Sequence, residues 1–226
     1  SLKDFKVAIW SNDELAPVAK EIAQRCEEVG NQLNSVGTTV SFAAKPEHDF
    51  MKAEINYQLL LQSVMQSGLP EDEYQKIEKL ASSLDKNDLS VDAILAKGTV
   101  LSHRNWIRQN YAREQIKISW SKFFEEWDVL ICPQLATTAI EHDHRKISER
   151  TVMVDNQEQR YFQQIFWPGL AVNAHLPSTV FPTGLSADGM PIGLQVIGGA
   201  YEDKTTIKFA ELYEEEFKAF VVPNLD

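Results

Sequence analysis

An α/β fold, with a mixed β-sheet flanked by helices, is the class this sequence predicts, and three features predict it. KVAIW (residues 6–10) and TTVSFA (38–43) are short β-rich runs separated by a helical repeat. That β-α-β order favours a parallel pair joined by a right-handed crossover. DVLICP (128–133) is apolar without alternation, the pattern of a strand buried on both faces. STVFPTG (178–184) and IGLQVI (192–197) flank Asp188-Gly189, a dipeptide suited to a hairpin turn.

The remaining elements follow along the chain. Ser11, Asn12 and Asp13 offer a turn and a helix cap after the first strand. A helix is predicted from Leu15 to Val36, because Ile22, Cys26, Val29 and Leu33 fall on one face, and Gly37 ends it. Phe50 to Met65 carries Ile55, Leu59 and Val64 on a helical repeat. Gly68-Leu69-Pro70 breaks that helix, and Glu71, Asp72 and Glu73 suit the positive end of the next. Asn87-Asp88 marks a turn, and the chain reads helical from Val91 to Trp127, with a break near Gly98 or Ser102. Gln134 to Gln159 is polar, charged and aperiodic, and reads as a long loop, functional or mobile. Tyr161 to Ala174 reads as an aromatic helix. Asp203 to Phe217 reads as a closing amphipathic helix with Ile207, Ala210, Leu212 and Tyr213 turned inward. The expected division is a strand-helix-strand plus helical region over 1–127 and a sheet with helices over 128–226.

Composition narrows the function. With 226 residues and 43 % hydrophobic side chains, the chain can bury a sizeable core. Its formal net charge of -11, without any basic run interleaved with aromatics, argues against a nucleic-acid partner. No apolar segment reaches the length of a membrane span and the first residues do not read as a signal peptide, so no membrane partner is expected. Cys26 and Cys132 are too few for a disulfide framework and read as reduced thiols of a cytoplasmic protein. The opening Ser-Leu-Lys, without Met, reads as a processed or partial terminus.

Several short patterns are candidates for chemistry. His142-Asp143-His144 can place two imidazoles together, but a metal site needs further ligands, and a solvated or pocket-rim loop is the plain alternative. Ser83 to Lys86 and Ser119 to Lys122 match Ser-x-x-Lys, where a lysine can activate a serine, yet neither has companion motifs. Cys132 ends a strand, as a nucleophile can, but also fits as a small buried hydrophobe. Gly193, Gly198 and Gly199 lack the spacing and element order of a dinucleotide fingerprint. Tyr161, Phe162, Phe166 and Trp167 suit a core or a pocket wall. The residues alone yield a fold and no catalytic set.

Longer stretches carry a resemblance. DVLICPQLATTA (128–139), EHDHR (141–145), YFQQIFWPGLAVNAHLPSTVFPTG (161–184) and ADGMPIGLQVIGGAYEDKTTIKFAELYEE (187–215) resemble the C-terminal part of the amidase signature family. The last stretch is the most specific, and KVAIW with its helix and AKGTVLSHRNW (96–106) extend the likeness over nearly the whole chain. The HDH loop and FWPGLA helix look more like bacterial general amidases than glutamine-transamidating subunits.

The resemblance implies the C-terminal part of an α/β/α sandwich around a mixed sheet. It implies hydrolysis of carboxamides by a serine nucleophile, a second serine in a cis peptide and a lysine, with backbone amides stabilising the oxyanion and no metal or cofactor. The family's Gly- and Ser-rich signature has no counterpart here, so no catalytic residue is assigned and the chain alone is expected to be inactive. The expected partners are a small-molecule amide, the missing N-terminal half of the same enzyme, and other copies of the chain through unpaired strand edges. Phe166, Trp167, Leu170 and Asn173 are implied to line the substrate pocket, with His142 and His144 at its rim. The alternative readings are a portion of an A-type amidotransferase chain and a non-catalytic binding or structural module.

Overall fold

The computed structural model describes residues 1–146 and 149–223. These group into two compact units, one of residues 1–47, 120–146 and 149–223 and one of residues 48–119.

The first unit holds the sheet. Its strands are β1 (Lys6–Ile9), β2 (Thr39–Ser41), β3 (Val129–Pro133), β6 (Ser178–Leu185) and β7 (Pro191–Gly198), in the order β2-β1-β3-β7-β6. A separate two-stranded hairpin joins β4 (Thr151–Val154) to β5 (Gln157–Arg160). β2, β1 and β3 run parallel, with Ala8 beside Ser41 and Leu130. β7 lies antiparallel to both β3 and β6, pairing Ile131 with Val196 and Phe181 with Leu194. The sheet is therefore mixed, as the hydrophobic pattern predicts.

Side chains alternate across a strand, so the register fixes two faces. One carries Ile9, Ile131, Val196, Leu194 and Phe181 and is packed by α1 (Lys20–Ser35) and α7 (Asp203–Phe217). Phe209 and Tyr213 of α7 meet Phe181 edge-on at 5.9 and 4.9 Å, and Tyr213 donates to Gln32 of α1 at 2.6 Å. The other face carries Leu130, Cys132, Gln195 and Ile197, and α6 (Phe166–Ala174) covers it through Trp167. β6 is an edge strand, and Pro182 removes a donor from it. Arg25 of α1 donates to the carbonyls of Thr183 and Leu185.

Several expectations change, among them the helix predicted from Tyr161, which is a 3-10 turn over Tyr161–Ile165 before α6 begins at Phe166. α1 begins at Lys20 instead of Leu15. Pro17 disfavours helix at Ala16, and the backbone before Lys20 is used in tertiary hydrogen bonds: Ala16 O accepts from Trp167, Pro17 O from Gln159, and Ala19 donates to Ala136. The long loop predicted over 134–159 contains β4 and starts β5; Ile147 and Ser148 lie outside the described residues. TVMV alternates, burying Val152 and Val154 while Met153 is exposed, and Asp155 turns the hairpin at φ +50°. The charged surroundings mask that short signal. In α7 the buried residues are Thr206, Phe209 and Tyr213, while Ile207 is exposed, one position off their shared stripe.

The second unit is helical: α2 (Phe50–Met65), α3 (Glu71–Ser83), α4 (Val91–Thr99) and the greater part of α5 (His103–Phe123). The break expected near Gly98 or Ser102 falls between α4 and α5. α2 and α4 approach so closely that a Cβ on Gly98 would lie 2.8 Å from Gln62 Cβ and 3.2 Å from Leu59 O. The buried positions of α2 include Asn56, Gln58 and Gln62, whereas Val64 of the predicted apolar stripe is exposed. Asn56 donates to the Gln109 carbonyl and side chain at 2.8 and 2.9 Å, so hydrogen bonding helps to set the rotation of this helix. Lys97 donates to the carbonyls of Asp85, Lys86 and Asp88, closing the α3–α4 turn.

His48 Nδ1 lies 3.1 Å from Ser119 Oγ, joining the two ends of this unit. Burial pushes His48 down to about 4. The unfolded chain takes up that proton near the ordinary value of about 6.5, so it binds more protons than the folded chain between those values. Stability is therefore expected to fall as pH drops from about 6.5 to 4, by roughly 1–2 kcal/mol after allowing for solvent screening. Melting temperatures across that window check this: His48→Gln should flatten the profile relative to the unchanged chain.

Candidate functional site

Open α/β sheets bind ligands beyond the carboxyl ends of their parallel strands. In this unit β1 and β3 end together, and four chain segments converge there. The first is the exit from β1. Trp10 donates its backbone N–H to Ile131 O at 2.9 Å and its indole N–H to Asn12 O at 3.0 Å. Its ring lies edge-on to Trp167 at 5.3 Å and to Phe166 at 6.2 Å, and the Lys45 ammonium sits 4.4 Å from its centroid. Lys45 is also 3.7 Å from Asp13.

The second segment is the exit from β3, Pro133 to Ala136. Pro133 O accepts from Gln195 Nε2 at 3.0 Å, Ala136 N donates to Gln164 Oε1 at 3.1 Å, and Ala136 O accepts from Ala19 N at 2.7 Å. Leu135, between these anchors, is exposed.

The third is the 3-10 turn Tyr161–Ile165 leading into α6. The fourth is the β4–β5 hairpin, where Asp155 accepts from Lys20 N at 3.3 Å and so caps α1, which has no capping side chain of its own. Gln159 donates to Pro17 O at 2.9 Å and accepts from Gln164 at 3.2 Å. A cavity of about 270 Å³ beside Lys20, Asp155 and Gln157 falls just below the usual range for ligand pockets.

The predicted site residues fall into two groups. Phe166, Trp167, Leu170 and Asn173 lie together on α6 and are all buried, Trp167 completely. Trp167 donates to Ala16 O at 3.1 Å. His142 and His144 are exposed, with ring centroids 6.3 Å apart. Between them Asp143 accepts from the Arg145 guanidinium at 2.7 Å, and that bond lowers its carboxyl to about 2. Asp143 and Arg145 thus form a local ion pair at the surface, and among the described residues no group of three or more His, Cys, Asp or Glu is placed to hold a metal ion.

The nucleophile candidates are engaged elsewhere. Ser83 Oγ donates to Leu80 O, and Ser119 Oγ is paired with His48. Burial pushes the Cys132 and Cys26 thiols up, so neither is a thiolate near neutral pH. Sequence reasoning missed Trp10, Gln159, Gln164 and Gln195. Gln195 had a readable signal, because a lone amide inside the apolar run GLQVIG must find partners when buried.

Residues 1–207 match the family described as Amidase. The A subunit of glutamyl-tRNA(Gln) amidotransferase from Thermosynechococcus vestitus is 34% identical over 111 residues, 49% of this chain and 21% of that protein. Its counterpart from Thermodesulfovibrio yellowstonii is 24% identical over 231 residues, 95% of this chain and 45% of that protein. A bacterial aryl acylamidase of the amidase signature enzymes superposes with a TM-score of 0.66 at 18% identity, over 93% of this chain and 43% of its own. The A subunit of the Thermotoga maritima glutamyl-tRNA(Gln) amidotransferase superposes with 0.66 at 17%, over 98% and 46%. The chain thus spans less than half the length of each of these proteins. No helix among the described residues is long and apolar enough to cross a membrane.

Proposed function

This chain belongs to the amidase family, the amidase signature enzymes, and we propose that it is the substrate-wall half of a carboxamide hydrolase whose reactive serines and lysine lie outside these 226 residues. The observation that carries this reading is the family match over residues 1–207 in a chain spanning less than half of its relatives. The absence of a Gly-Gly-Ser-Ser run and the engagement of Ser83 and Ser119 away from Lys86 and Lys122 support it.

In the reaction, an unprotonated lysine relays a proton through a bridging serine, so that a second serine attacks the amide carbonyl. Backbone donors stabilise the oxyanion, ammonia or an amine leaves, and water releases the carboxylate. Neither metal nor cofactor enters these steps. This chain supplies the wall, α6 with Leu170 and Asn173 backed by the buried Phe166 and Trp167, and a rim with His142 and His144. The N-terminal half of the same enzyme is the partner, meeting the β6 edge and the exposed Val172 and Val180. The reduced, buried Cys26 and Cys132 suit a cytoplasmic setting.

The rim is tested by His142→Ala and His144→Ala in the longer protein. Both side chains are exposed, so stability should change by less than about 0.5 kcal/mol. KM should rise several-fold with kcat little changed, and an unaltered KM removes this loop from the pocket.

The names of the two amidotransferase relatives favour a second reading, that the chain is part of an A-type amidotransferase component. Stable co-purification of the longer protein with other amidotransferase chains would select it over a free-standing amidase.

A further inference from the structure

Gln195 is 1% exposed, and both ends of its amide are used. Nε2 donates to Pro133 O at 3.0 Å and to Trp167 O at 2.7 Å, and Oε1 accepts from Ser178 Oγ at 3.0 Å. One side chain on β7 thus ties together the end of β3, the first turn of α6 and the start of β6. The exit from β3 is held again at Ala136 by Gln164, itself buried and bonded to Gln159, which reaches Pro17 O. Three neutral amides therefore fix the backbone between β3 and the aromatic helix, without a charge that titration would remove. Leu135, exposed between the two anchored ends, is left at the carboxyl rim of the parallel strands.

We propose that Gln195 is a positioning residue for the amide pocket: it sets the distance between the α6 wall and the Pro133–Ala136 rim through its two carbonyl contacts. The assignment rests on the amidase reading. A buried donor that spans two elements resists small displacements, because moving either element orphans a carbonyl. Displacements of about 1 Å at a reacting centre cost about 100-fold in rate.

The test uses the longer protein carrying Gln195→Met, which keeps volume but loses all three hydrogen bonds, and Ser178→Ala, which removes only the bond to Oε1. Two quantities are read: amide turnover, and solvent exchange of the Trp167 indole N–H. Gln195→Met should lower kcat by about 10- to 100-fold with a smaller change in KM, and speed indole exchange at least about tenfold, while Ser178→Ala leaves both near the parent values. Should Gln195→Met fail to fold, Gln195→Asn, which retains an amide too short to span both carbonyls, should show the same two effects. Unchanged indole exchange, or unchanged kcat in an active parent, overturns the assignment. A parent without amide turnover counts against the amidase reading, and indole exchange then decides the role of Gln195.

Discussion

Replacing Trp167 with alanine is expected to cost about 3–5 kcal/mol of folding stability, the range for truncating a fully buried tryptophan. Trp167 has no exposed surface in this chain, stands edge-on to Trp10 and Phe166 at 5.3 Å each, and gives its indole N–H to Ala16 O at 3.1 Å. Truncation removes three contributions at once. It opens a void among aromatic rings, deletes the edge-to-face pairs, and orphans a carbonyl in the segment that leads into α1. Total stability is typically about 5–15 kcal/mol, so the loss is a large share of it. Trp167→Phe should cost less, about 1–3 kcal/mol, because it keeps most of the packing and loses mainly the hydrogen bond. Denaturant midpoints of the two variants measure the difference. If Trp167→Ala keeps the parent's stability while changing KM in the longer protein, the ring serves substrate more than the core.

Much of the fold was legible because burial writes itself into the strands. VLICP is buried at every position, as its unbroken apolar run predicts. The α1 stripe of Ile22, Cys26, Val29 and Leu33 packs as its spacing predicts, and Asp188-Gly189 turns the β6–β7 hairpin with Gly189 at φ +81°. Local pattern failed where long-range hydrogen bonds decide. The helix start at Lys20 depends on a carboxylate from Asp155, 135 residues away. The rotation of α2 is set partly by amides, which hydrophobic spacing cannot see. The site shows the same split: the aromatics of α6 stand out in the sequence, whereas Gln164 and Gln159 are ordinary polar residues until the chain is folded.

The second large effect concerns catalysis itself. Neither Ser-x-x-Lys serine meets its lysine, since Ser119 Oγ pairs with His48 and Ser83 Oγ donates to Leu80 O, and both thiols are buried. Aligning and activating a nucleophile beside an oxyanion hole supplies many orders of magnitude of rate, and a wall alone supplies none of that chemistry. On the proposed reading, turnover should therefore switch on only when a Gly- and Ser-rich segment is supplied from outside these 226 residues, not grow from a partial level. The direct measurement is ammonia or amine release from simple aliphatic and aryl carboxamides, by the 226-residue chain alone and by the same chain joined to its upstream segment. Release only from the joined protein, lost on changing an upstream serine, is the predicted result. Hydrolysis by the 226 residues alone, abolished by Ser119→Ala or Ser83→Ala, would contradict it.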